Sequence, residues 1–242
     1  MNPLLIKLQN DRIFRGGSFP EMRSEYIADI SAVPVARTTD FRVREHLLRT
    51  DTISAVLSFP GRRVCALSFA NANFPGGAYV LGGNAQEEAL CRASLLYYTI
   101  RTARGFYRRN RLHVLPDYTH GMIVSENVPI VRDGAGNLLD RPAVCDFITS
   151  PAVKRTFARF LFSRARLDRT MEERIGRIVA LAARKRPDVL VLGGLRMRCV
   201  RKPAGDGLSA VRAGDQPVSS RRGAGRLRRP ASAARIGLRP VK

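Results

Sequence analysis

The chain has 242 residues, 45% of them hydrophobic, and 42 Lys and Arg against 20 Asp and Glu give a formal net charge of +22. That length and apolar fraction suit one domain with a sizeable core and exclude a wholly disordered chain, while the excess of basic residues favours a polyanionic partner. Four cysteines without CxxC spacing exclude a disulfide framework or a zinc site, and Asn10, Asp11 and Arg12 interrupt the first apolar stretch, so neither a membrane span nor a secretory leader is expected and the expected location is the cytoplasm.

In chain order, residues 1–40 are poorly patterned, with a Gly16–Gly17 break and Pro34, and read as a loosely structured arm. Phe41 to Leu57 supplies a helix and a strand. Val64 to Ala70 (VCALSFA) is nearly uninterrupted apolar sequence, as in a strand covered on both faces by helices. Asn71 and Asn73 follow, then Pro75, Gly76, Gly77 and Ala78, where missing side chains let backbone N–H groups approach an anion such as a phosphate. Leu90, Ala93, Tyr97 and Ile100 recur at helical spacing and predict one helix of roughly four or five turns from Ala85, with Gln86, Glu87 and Glu88 in its first turn. Met122 to Val131 reads as a strand closed by the turn Asp133 to Asn137. Lys154 to Arg166 alternates basic residues with Phe and Leu, which suits an amphipathic segment packing its Phe residues on the domain. Thr170 to Arg186 is signalled as a helix with a Thr170–Glu173 capping box and a stop at Pro187, and Asp188 to Leu192 as a second buried strand. Beyond Gly193 neither period 2 nor period 3.6 is sustained.

Acidic residues at a helix start ordinarily complement the positive end of the macrodipole at ~0.3–1 kcal/mol each. Here a loop fit for a diphosphate lies directly before them. Successive helical residues differ by about 100° around the axis, so Glu87 and Glu88 do not share a face; one is expected at the reacting bond, the other at a neighbouring hydroxyl.

Gly76, Gly77 and Ala78, a seven-residue spacer from Tyr79 to Ala85, and then Gln86, Glu87 and Glu88 resemble the signature of the microbial-type poly(ADP-ribose) glycohydrolases: three glycines, a spacer of six to eight residues and Gln-Glu-Glu. The resemblance extends to Leu90 to Ser94, to Ser125 to Arg132 (SENVPIVR) and to Phe147 to Ala152 (FITSPA), spanning about Phe41 to Gly193. It implies a three-layer α/β/α macrodomain-like fold with a mixed central sheet, and a catalytic domain over residues 41–194. It also implies hydrolysis of the ribose–ribose O-glycosidic bond of poly(ADP-ribose), with Glu88 as general acid and base. Glu87 and Gln86 would bind substrate, Gly76, Gly77 and Ala78 would line the diphosphate, and Asn73 would approach the ribose. No cofactor or metal is implied; the partners are ADP-ribose polymer or ADP-ribosylated protein, and the expected state is a monomer.

The sequence departs from that family at two places. Ala78 replaces the third glycine, which costs little at negative φ and about 1 kcal/mol or more at positive φ. The second departure follows Gly193, where the family's second glycine loop, roughly Gly-Ala-x-Gly-Cys-Gly-x-Phe-x-Asn, is missing. Reading displaced by one base from Gly193 to Asp206, one consistent codon choice spells Gly-Ala-Tyr-Gly-Cys-Gly-Val-Phe-Gly-Asn-Pro-Pro-Glu-Thr, with the cysteine forced by the single codon of Met197. A one-nucleotide insertion is therefore expected, leaving residues 195–242 as an out-of-frame or disordered basic tail. That tail has 13 Arg or Lys against two Asp, half of the net charge, so its charge carries little functional meaning. Two other classes remain open on the residues alone: a non-catalytic ADP-ribose-binding macrodomain, and a protein binding nucleic acid non-specifically through the tail. Cys65 and Cys91 are expected as buried thiols, Cys145 and Cys199 show no partner spacing, and His46, His113 and His120 lack ligand spacing.

Overall fold

The computed structural model describes residues 2–29, 42–113, 115–153, 161–193 and 207–213, with the chain path alone for 42–47 and 207–213. Its elements are α1 (Pro3–Gly16), β1 (Arg23–Ile27), β2 (Arg42–Leu48), α2 (Thr52–Leu57), β3 (Val64–Ala70), α3 (Gln86–Ala93), α4 (Leu96–Ile100), α5 (Arg104–Leu112), β4 (Met122–Arg132), β5 (Leu138–Pro151), α6 (Arg164–Lys185), β6 (Val189–Gly193) and β7 (Gly207–Ala213).

The strands form one sheet in the order β1-β4-β5-β3-β6-β7-β2. β1, β4 and β5 pair antiparallel, and β5, β3, β6, β7 and β2 run parallel. The period-2 geometry of a strand explains the layering. Val64 and Ala66 of β3 and Val189 and Val191 of β6 point to the layer built from α2 to α5, against Val56, Leu90, Leu96 and Phe106. Their neighbours Cys65, Leu67, Leu190 and Leu192 point to α6, against Ile178, Leu181 and Ala182. Both faces are therefore covered, and the expected three-layer α/β fold with a mixed central sheet is observed.

The N-terminal region departs from the loose arm expected of it. Asn2 caps α1 by accepting the Leu4 N–H at 2.9 Å, and Pro3 occupies the first turn, where its missing N–H is harmless. Asn10 is fully buried; its amide donates to the Cys91 and Arg92 carbonyls at 3.2 and 3.1 Å and its carbonyl accepts from the buried Arg132 guanidinium. Gln9 takes a second Arg132 N–H at 2.7 Å, and Phe14 stacks on Tyr98 with ring centroids 4.2 Å apart. With β1 paired to β4, residues 3–27 belong to the folded body, so the domain begins well before residue 41.

The single helix expected from Ala85 to Ile100 is two. Ser94 is extended (φ −139°, ψ 175°), its hydroxyl donates to the Leu90 carbonyl at 2.7 Å, and the Leu95 N–H goes to Pro129 of β4 instead of back into the helix. A bridge between Ser94 and Ile130 holds the break. The expected Thr170–Glu173 capping box is also absent: the helix starts earlier, Ser163 caps it, and Thr170 lies within it, donating to the Arg166 carbonyl. It ends as expected before Pro187, with Arg186 left-handed at φ 49°. The turn at Asp133 to Asn137 closes the β4–β5 hairpin, with Asp133 accepting the Asn137 N–H at 2.8 Å. Most of Lys154 to Arg166 lies outside the described residues, as do Cys199 and residues 194–206. Residues 207–213 (GLSAVRA), by contrast, form β7 between β6 and β2, where no strand was expected; the segment is apolar enough for a covered strand once parallel neighbours lie on both sides.

Candidate active site

The carboxyl ends of the parallel strands are where open α/β sheets bind ligands, and β3 delivers Asn71 to that edge. The Asn71 side chain accepts the backbone N–H groups of Asn73 at 2.9 Å and Phe74 at 3.2 Å, folding the chain back as an Asx turn. Gly76 and Gly77 then take positive φ (70° and 54°), which a glycine adopts without strain. Ala78 stays out of the left-handed region, so its replacement of a glycine leaves the loop unstrained.

Both glutamates meet this loop. Glu87 is 2% exposed, and its two oxygens accept the N–H groups of Asn71 at 2.7 Å and Gly76 at 3.0 Å. Glu88 is 8% exposed; Oε1 accepts the Ala78 N–H at 2.9 Å, while Oε2 is buried without a hydrogen-bond partner. The side chains leave the helix on different faces, as expected, yet the loop wraps round to both. A Cβ at Gly77 would lie 2.5 Å from Glu88 Oε1 and 3.3 Å from Glu87 Oε2. The loop amides therefore hold carboxylates here: Gly76 and Ala78 donate to the glutamates, and Gly77 donates to the Phe74 carbonyl. The start of α3 has no side-chain cap.

Gln86 occupies a position that spacing alone does not disclose. β3 and β6 pair only from Val64 to Ala66, and Gln86 enters the gap beyond. Its amide donates to the Leu67 carbonyl at 2.9 Å and to Thr52 Oγ1 at 3.3 Å, and its carbonyl accepts the Phe69 N–H at 2.9 Å. It thus substitutes for strand pairing and fixes the start of α3 on β3. Gly193 must be small at the same place, because a Cβ there would meet Thr52 Oγ1 at 2.1 Å and Gln86 Nε2 at 2.8 Å. Sequence reading also missed Arg111, which donates to the Asn73 carbonyl at 3.0 Å; an arginine among many on a basic helix gives no signal of that tether.

Burial pushes Glu87 up to about 8, against the backbone N–H groups of Asn71 and Gly76 and with an added push from Glu88. Desolvation thus outweighs those two hydrogen bonds. A raised acid stabilises the folded state below its unfolded value near 4.5 and loses that contribution as pH climbs through 8. The melting temperature of the native chain should therefore fall more steeply between about pH 5 and pH 9 than that of Glu87→Gln. Parallel slopes in thermal melts would show that Glu87 is ionised throughout.

Cys65, Cys91 and Cys145 are buried free thiols, and burial raises all three. His113 lies 3.1 Å from Asp117 and His120 lies 3.7 Å from Glu173, both away from the loop. Among the described residues no cluster of His, Cys, Asp and Glu is arranged to hold a metal ion, and no helix is long and apolar enough to cross a membrane.

Residues 16–133, which contain the whole loop and both glutamates, match the family described as microbial-type PARG, catalytic domain. The chain carries a microbial-type PARG catalytic domain. The match begins at Gly16 rather than Phe41, in keeping with the folded N-terminal region. The fold is similar to that of poly(ADP-ribose) glycohydrolase from Thermomonospora curvata bound to the inhibitor ADP-HPD, at 25% identity and a TM-score of 0.76 over 90% of this chain and 95% of that one. A second structure of the T. curvata enzyme gives 26% identity and a TM-score of 0.76 over 87% of this chain and 92% of that one. The Deinococcus radiodurans enzyme in complex with ADP-ribose gives 26% and 0.68 over 85% and 90%. No curated protein sequence matches the chain. In this PARG domain Gly76, Gly77, Ala78, Glu87 and Glu88 form one constellation, Gln86 braces it from the sheet, and Asn73 flanks it through the Asx turn.

Proposed function

We infer that the domain hydrolyses the ribose–ribose O-glycosidic bond of poly(ADP-ribose) and releases ADP-ribose. The observation that carries the chemical part of this reading is the unequal bonding of the Glu88 carboxyl, with one oxygen anchored on Ala78 and the other unpaired at the loop. An anchored acid with one oxygen free of hydrogen bonds is suited to protonate a leaving oxygen. As the anomeric C–O bond breaks, its electron pair goes to that oxygen with the Glu88 proton, and the ribose takes on oxocarbenium character. Water then attacks the anomeric carbon and returns its proton to the Glu88 carboxylate. Such general acid–base work contributes typically 10²–10⁴-fold. Glu87 accepts ribose hydroxyls, and Asn73 lies at the ribose.

Diphosphate binding by Gly76, Gly77 and Ala78 requires an exchange, since their N–H groups are engaged; the anion displaces a carboxylate from the loop or binds beside it at the uncapped start of α3. Its negative charge also stabilises the cation. The protein acts in the cytoplasm as a monomer, on polymer or on ADP-ribosylated protein. A reader without turnover accounts less well for a second carboxylate oxygen left unpaired, and a tail-dependent nucleic-acid binder does not account for the loop at all.

The experiment is ADP-ribose release from poly(ADP-ribose), measured on this chain and on one with the frame restored after Gly193. Release is expected from both, and at least ten times faster from the restored chain, which regains a second phosphate loop; one lost transition-state donor alone costs about 10²–10³-fold. Equal rates would show that the second phosphate loop is dispensable. No release from either would remove the hydrolase reading.

A further inference from the structure

Beside the loop that carries Asn73 and Pro75 runs a groove of about 560 Å³, lined by Pro75, Tyr107 and the arginines Arg101, Arg104, Arg108 and Arg111. Arg104, Arg108 and Arg111 follow one another at i, i+4 and i+7 along α5, which places them in one stripe, and Arg101, just past the end of α4, lines the same groove. All four are exposed, and no acidic side chain lines the groove. Among the described residues none of them forms an ion pair. Arg101 lies over the Tyr98 ring at 5.4 Å, and Arg111 is tied to the Asn73 carbonyl. Like charges at helical neighbour spacing repel, and an anion lying across the stripe would relieve that repulsion. Gly105 keeps α5 close to β1, where a Cβ would come within 3.0 Å of the Tyr26 ring, so the stripe rests on a rigid support.

We propose that this groove binds the part of the polymer that lies beyond the bond being cut, with Arg104 and Arg108 gripping the diphosphate of the neighbouring ADP-ribose unit. The proposal rests on the hydrolase reading above. The guanidinium is the side chain best matched to phosphate, because its planar fork donates two parallel hydrogen bonds. Continuity decides between polyanions. Pro75 lines the groove and Arg111 is tied to the Asn73 carbonyl, so the groove adjoins the loop assigned to the ribose, and a chain whose end occupies that loop would continue among the arginines. A nucleic acid would meet the same charge without a reason for that junction.

The test uses the full chain in a Glu88→Gln background, so that polymer survives the measurement, and compares Arg104→Gln/Arg108→Gln with the parent. Affinity for long poly(ADP-ribose) should fall at least tenfold, and the slope of log K against log salt should shrink by about 0.7 for each phosphate that is no longer neutralised. Affinity for free ADP-ribose should not change. Arg104→Lys/Arg108→Lys should recover part of the polymer affinity, and thermal melts should show both double variants folded, as exposed positions allow. With Glu88 intact, the Gln variant should raise KM on polymer and leave kcat unchanged. Unchanged polymer affinity, or an equal loss for polymer and ADP-ribose, would overturn the groove assignment alone. Weakened binding of single-stranded DNA with polymer binding intact would assign the groove to nucleic acid and overturn it as well. Failure of the parent to bind either ADP-ribose or polymer would instead strike the hydrolase reading, and the groove with it.

Discussion

Glu88→Gln is expected to slow ADP-ribose release by about 10²–10⁴-fold, the range for loss of a positioned general acid. Glutamine has nearly the same volume, and its side-chain carbonyl still accepts the Ala78 N–H, so the loop and α3 keep their places. What is lost is a second carboxyl oxygen able to give and take a proton, the atom that has no hydrogen-bond partner in the structure. Single-turnover release gives the chemical step, and ADP-ribose affinity measured on the same variant reports the binding site. A rate within a few-fold of the parent would exclude Glu88 as the acid. A fall in affinity as large as the fall in rate would make it a binding residue instead.

Gly77→Val should be nearly as damaging to turnover while leaving the fold in place. The new Cβ would arrive 2.5 Å from Glu88 Oε1 and 3.2 Å from its carboxyl carbon. The carboxyl is the mobile end of a side chain and can swing aside, so the clash displaces the acid from the Ala78 N–H without unfolding the domain. Misplacing a catalytic group by about 1 Å costs on the order of 10²-fold, and a rate loss of that size is expected. Positive φ adds roughly 1–2 kcal/mol of backbone strain. Gly61→Ala separates the two effects, because Gly61 also has positive φ (73°) but open space around it. Melting temperatures should drop in both variants and activity only in Gly77→Val. Loss of activity in Gly61→Ala would trace the damage to strain alone.

Much of the site was legible because it is local. Strand, Asx turn, glycines and the Gln-Glu-Glu triplet fall within 25 residues, from Val64 to Glu88, and each is specified by its own chemistry: an apolar run, missing side chains, acids at a helix start. The carboxylates were expected to part because neighbouring helical residues diverge. They meet the same loop because that loop curls over the start of α3, and its path depends on two positive-φ glycines and on Asn71.

The unread features are long-range. Asn10 is bound to Cys91, Arg92 and Arg132, up to 122 positions away, and a polar residue on a short helix gives no hint of such partners. Ser94 reads as an ordinary helical residue until β4 offers Pro129 and Ile130 to its neighbourhood. Gln86 looks like a third member of the ligand set, and only the divergence of β3 from β6 shows that its amide is needed inside the sheet.

The sequence by itself determined the layers, through period-2 and helical apolar patterns, and the identity of the reactive groups, because side-chain chemistry does not depend on fold. Only the tertiary structure decided which backbone N–H groups those carboxylates occupy, where the N-terminal helix docks and that four arginines border the loop. Those outcomes come from hydrogen-bond satisfaction and burial between segments far apart in the chain, quantities that no local window of residues contains.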